Sequence, residues 1–182
     1  MQPQKYLPLK QLQLFDNNMT TYSDYNIRRI REEDDASILR IVRNAFEELD
    51  APRIGSVYDD PRTEHLSREF LHKDAEYWVI EKDGEVLGGC GFYPTEGLPD
   101  GMAEIVKLYF SPALRGKGMG RKMLDYIAGR AKGKGYKKLY IESFPQFCNA
   151  VRLYERFGFR HIAHALGNSG HPAVTIYMEK DI

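Results

Sequence analysis

A chain of 182 residues is long enough for one domain with a sizeable core, and its 26 basic and 26 acidic residues leave a formal net charge of zero. No overall field draws it to nucleic acid or to an anionic membrane, so neither is expected as a partner. Cys90 and Cys148 match no zinc spacing, no window nears the about 18 apolar residues of a spanning helix, and the N-terminus lacks a signal-peptide layout; a soluble, cytoplasmic protein is expected.

Residues 1–24 are rich in Gln, Asn and Tyr without sustained periodicity, and they read as an N-terminal extension to a domain over 25–182. Tyr25 to Ile30 alternates as a strand does. Glu32 to Asp35 then introduce a helix with Ile38, Ile41, Val42, Ala45, Phe46 and Leu49 at helical spacing. Ala51 to Gly55 breaks it, and Asp60-Pro61 starts a shorter helix running to about His72. The segment Ala51 to Asp74 is where a substrate mouth is expected.

Glu76 to Glu81 and Glu85 to Tyr93 flank Lys82-Asp83-Gly84, a hairpin signal. Gly88, Gly89 and Gly91 in the second strand predict a bend or a close backbone approach. A strand over about Met102 to Phe110 leads through a glycine-rich loop into a helix whose apolar face holds Met119, Met123, Leu124, Ile127, Ala128 and Ala131. A strand over Lys137 to Ser143, a helix from Pro145 to Gly158, and strands over Phe159 to Ala163 and Ala173 to Glu179 complete the chain. This order describes an α/β protein with a mixed sheet and a central parallel step.

The loop Ser111-Pro112-Ala113-Leu114-Arg115-Gly116-Lys117-Gly118-Met119-Gly120-Arg121 carries the chemistry. Its glycines let a ligand approach the backbone, and the following helix offers unpaired N–H groups and a positive dipole end, a nest for phosphate oxygens. An ordinary αβ turn is the plainer reading. Neither the Walker pattern nor Gly-x-Gly-x-x-Gly is met, since the latter needs glycine at Arg121 or Met123.

The spacing that does fit is Arg/Gln-x-x-Gly-x-Gly, at Arg115, Gly118 and Gly120, and there the sequence resembles the GNAT family of N-acetyltransferases. The run from Asn149 through Tyr154 to Gly158-Phe159 is similar to that family's second signature, so the resemblance covers roughly Tyr25 to Lys180. It implies the acyl-CoA N-acyltransferase fold, a mostly antiparallel sheet flanked by helices, and acetyl-CoA as the acetyl donor. Arg115, Gly116, Lys117, Gly118, Met119, Gly120 and Arg121 would hold its pyrophosphate and Asn149 its arm. Leu108, Tyr109 and Phe110 would pair with pantetheine and offer an oxyanion donor.

Transfer to an amine needs that amine neutral and the departing thiolate protonated. Glu104 resembles the family's glutamate base, and Tyr154 the tyrosine near the CoA sulfur. A solvent-facing or cation-binding glutamate, a tyrosine that only packs helix on sheet, and helix capping by Asn149 are the structural alternatives. His161, His164 and His171 suggest a metal, but without nearby Cys or acidic ligands surface histidines fit better, so no metal is expected. The implied function is transfer from acetyl-CoA to a primary amine, of a small molecule or a peptide, by direct attack in a ternary complex, with a homodimer as one possible assembly. A noncatalytic acyl-CoA-binding module is the alternative; an acid–base pair favours the enzyme.

Overall fold

Each apolar period in the sequence becomes an element of one sheet or of a helix laid on it. The computed structural model describes residues 19–22 and 24–182. The strands are β1 (Met19–Tyr22), β2 (Tyr25–Arg29), β3 (Glu76–Lys82), β4 (Glu85–Tyr93), β5 (Met102–Phe110), β6 (Lys138–Ser143), β7 (Arg160–Ile162) and β8 (Ile176–Asp181). The helices are α1 (Asp35–Glu48), α2 (Leu66–Glu69), α3 (Met119–Gly133) and α4 (Cys148–Phe157). The sheet order is β1-β2-β3-β4-β5-β6-β8-β7. Every neighbouring pair is antiparallel except β5 and β6, the predicted parallel step.

The period of two along β3 divides the core. Tyr77 and Val79 point to the face covered by Ile38, Val42 and Phe46 of α1 and by Leu66 of α2. Trp78 and Ile80 point to the other, where Met123, Leu124 and Ile127 of α3 pack with Val151 and Tyr154 of α4. Met123, Leu124 and Ile127 are fully buried, and each side chain stabilises the fold by about 1.5–3 kcal/mol. A charge at Ile127 would forfeit that and leave α3 without its anchor.

One expectation gains detail and another changes. The expected N-terminal extension lies partly outside the described residues, but Met19–Tyr22 forms an edge strand paired with β2, from Met19↔Arg28 to Tyr22↔Tyr25. The helix expected from Asp60 to about His72 is instead a 3-10 turn at Pro61–His65 followed by the single turn of α2. Asp60 caps that turn by accepting from the Arg62 N–H, and Asp35 accepts from Ser67 at 2.7 Å. Side chains from elsewhere in the fold set the geometry of a segment too short to be a stable helix alone.

Candidate active site

The site begins where β5 loses a neighbour. Strand β6 pairs with β5 only from Met102↔Lys138 to Ile105↔Ile141 and then follows β8 to Ser143↔Ile176. The β6-facing edge of Val106 to Phe110 therefore has no ladder partner, and a groove opens between the two strands. Its walls include Leu108 and Tyr109 on one side, Ser143 and Phe144 on the other, and Phe147, Ala150 and Tyr154 at the α4 end. An unpaired, extended edge beside an apolar wall suits an amide-bearing chain added like a strand.

On its other side β5 carries a bulge. Gly89 faces Tyr109 and Gly91 faces Val106, so Lys107 and Leu108 together oppose Cys90. Lys107 takes a left-handed backbone, φ +51°, strain of about 1–3 kcal/mol that its surroundings must hold. Its carbonyl accepts a hydrogen bond from the Tyr77 hydroxyl at 2.9 Å. Tyr77 reaches across β4 because Gly89 has no side chain: a Cβ there would lie 2.5 Å from the Tyr77 ring and 2.8 Å from its hydroxyl. The close approach expected of the β4 glycines is thus what holds the bulge.

Beyond Phe110 the chain turns through Pro112–Leu114, with Leu114 buried, into the glycine loop. Gly118 precedes α3 at φ +74° and Gly116 lies at φ +72°, both with open space where a Cβ would stand. That is the geometry of a cradle for an anion at the head of a 15-residue helix. The loop's other residues divide. Met119 is 2% exposed and its side chain belongs to the core, so only its backbone can serve a ligand. Gly120 faces α4, where a Cβ would lie 2.8 Å from the end of the Leu153 side chain. Arg115 is bound by Glu48 at 2.6 Å and donates to the Phe110 carbonyl. Arg121 pairs with Asp125 and lies over the Phe157 ring. Lys117 is exposed and approaches Tyr25 Oη at 3.3 Å.

A second cavity shares part of its lining with the groove. Arg62, Glu69 and His72 line it from the segment expected to form a substrate mouth, with Thr95, Lys107 and His171. Glu104 lines both cavities, as does Lys107. Glu104 is 5% exposed and accepts a hydrogen bond from Thr95. Burial, then the charge of Glu142, pushes its carboxyl up to about 7, although Thr95 opposes the change. Tyr154 is buried at the groove wall with its ring against Phe159, and burial holds its phenol well above the ordinary range. It therefore packs and faces the groove at once.

Asn149 is exposed on the first turn of α4, whose cap is Phe147 without a side-chain hydrogen bond, so the capping alternative is not the arrangement found. The histidines go separate ways: His161 to Glu155, His171 to Asp60, and His164 to the surface. Pattern reading took Asp60 only as a helix start and weighed His171 only as a metal ligand, and it gave Arg62, Lys107 and Glu142 no role. Only Lys107 left a trace, a lone charge inside the apolar strand Ile105 to Phe110. Asp60 accepts from Arg62 and from His171 at 3.0 Å; burial alone would raise its pKa, but these bonds hold it well below the usual carboxylate range.

Residues 40–159 match the model of the acetyltransferase (GNAT) family. The chain is 34% identical over 168 residues to an uncharacterized N-acetyltransferase, YjgM, of Escherichia coli K12, covering 91% of this chain and 99% of that one. It is 30% identical over 140 residues to an IAA acetyltransferase of Azospirillum brasilense, covering 75% and 88%. Its fold is similar to a GNAT acetyltransferase of Staphylococcus aureus Mu50, TM-score 0.75 at 18% identity over 86% of this chain and 98% of that one. It is also similar to a phosphinothricin acetyltransferase of Sinorhizobium meliloti solved with acetyl-CoA, TM-score 0.69 at 20% identity over 87% and 89%.

Proposed function

The chain belongs to the GNAT acetyltransferase family, and from that premise we propose that acetyl-CoA lies in the groove between β5 and β6 while a primary amine enters through the second cavity. The observation that carries this reading is that Glu104 lines both spaces. Acetyl-CoA supplies the activated thioester carbonyl. Gly116, Gly118 and the backbone at the head of α3 are suited to its pyrophosphate, and Leu108, Tyr109 and Phe110 present the unpaired edge for its amides.

Glu104 takes the proton from the acceptor's ammonium, for which a carboxyl raised to about 7 is well matched at neutral pH. Leu108, Tyr109 and Phe110 lie past the end of the β6 ladder, and a backbone N–H of this run serves as the oxyanion donor. Tyr154, a neutral phenol at any working pH, gives its proton to the departing sulfur. Attack forms the C–N bond and a tetrahedral oxyanion, whose collapse breaks the C–S bond; the ammonium's first proton goes to Glu104 and on to solvent, and the proton left on nitrogen after attack replaces the one Tyr154 gives to sulfur. Two free cysteines, one buried and one exposed, and the absence among the described residues of a helix able to cross a membrane support action in the cytosol. Initial rates measured against both acetyl-CoA and amine should give intersecting lines; parallel lines would refute direct transfer in a ternary complex.

A further inference from the structure

Where the two cavities share their lining, one cation is left without a bonded anion among the described residues. Lys107 lines both spaces from the β5 bulge, and among the described residues its ammonium makes no ion pair and no hydrogen bond. Asp60, Glu104 and Glu69 attract it, but none of them lies at bonding distance. Asp60 is committed to Arg62 at 2.9 Å and to His171 at 3.0 Å. Glu104 accepts from Thr95 and is the proposed base. Glu69 lies in the second cavity alone, as does the exposed Glu96. Burial accordingly pulls the Lys107 ammonium below its ordinary range despite the attraction of Asp60. A solvated lysine needs no partner, but one held in a cavity by a strained backbone gains from an anion brought by the ligand.

We infer that the acceptor carries a carboxylate within a few bonds of its amine, as an α-amino acid does, and that Lys107 receives that carboxylate and sets the specificity. The short separation follows from position. Glu104 must meet the amine, and Lys107 lies three residues along the same strand and lines the same two cavities. An amine and an anion bound at these neighbours are close together. Arg62, its charge largely met by Asp60, adds positive potential farther out. Glu69 and Glu96 oppose a second acidic group, so neutral or basic side chains fit better than acidic ones. This inference rests on reading the second cavity as the acceptor site.

The test uses the full chain with methionine, phenylalanine and lysine, each beside its amide and its decarboxylated amine. Thiol release from acetyl-CoA is measured, and so is calorimetric binding of the same compounds to the protein saturated with CoA. A charged hydrogen bond of this kind predicts at least about tenfold higher kcat/KM for the acids than for their amides. Lys107→Gln should collapse that ratio through KM, and Lys107→Arg should restore part of it. Binding of acids but not amides, lost in Lys107→Gln, without turnover would uphold the carboxylate site and overturn the transfer reading instead. Amides used or bound as well as acids would overturn the inference. So would an equal loss for acids and amides in Lys107→Gln, or a panel neither bound nor turned over.

Discussion

Glu104→Gln tests the site through stability as well as rate. The carboxyl is raised from an ordinary 4.5 to about 7, chiefly by burial and next by Glu142. Between those values the folded chain holds more protons than the unfolded chain. Stability from this group is therefore fully present below 4.5 and falls as pH rises through about 7. At about 1.4 kcal/mol per pH unit the loss amounts to about 3 kcal/mol at alkaline pH. Glutamine has no proton to lose there, and it keeps an oxygen for the Thr95 hydroxyl. Urea unfolding should thus show the variant gaining on the wild type by up to about 3 kcal/mol between acid and alkaline pH. In the same variant kcat/KM should fall by about 10²–10⁴-fold at neutral pH and lose its acid limb near 7, leaving only the dependence set by the amine's own ionisation. A stability difference flat with pH would refute the buried, raised carboxyl. A rate defect flat with pH would reassign Glu104 to positioning the substrate.

Glu142→Gln removes the like charge near Glu104, so the acid limb of kcat/KM should move to lower pH; an unmoved limb would show that burial alone sets the value. Tyr154→Phe keeps the ring on Phe159 and removes only the hydroxyl. Acetyl-CoA should bind unchanged in calorimetry while single turnover slows by about 10²-fold, and a wild-type single-turnover rate would leave Tyr154 a packing residue. Gly118→Val should lose acetyl-CoA affinity at its positive φ, whereas Gly120→Val should lower the Tm by displacing the Leu153 side chain; unchanged affinity in a folded Gly118→Val would displace the cofactor loop. Removing residues 1–22 takes away the edge strand but no other, so we expect a lower Tm with a still cooperative transition; loss of that transition would make the strand part of the core.

Local chemistry made much of this protein legible in its sequence. The hairpin at Asp83-Gly84, the apolar faces of α1, α3 and α4, and the run from β5 through the glycine loop to α3 are written in spacings of two and 3.6 and in residues that terminate them. Glu104 and Tyr154 were named by resemblance to the family's motifs, and both line the groove. Four strand residues at Met19–Tyr22 were not legible, since an edge strand takes its stability from the neighbour it pairs with and needs little pattern of its own. The roles of Gly120 and Asn149 also escaped sequence: one depends on how near Leu153 stands, the other on where α4 begins. Of the second cavity the sequence suggested one wall, the segment Ala51 to Asp74, and tertiary structure decided the rest. It brings Arg62, Thr95, Lys107 and His171 together from four separate stretches of chain, and Lys107 faces it because Tyr77, reaching over Gly89, holds one extra residue in β5. A charge's partners and burial are properties of space, and no periodicity along the chain records them.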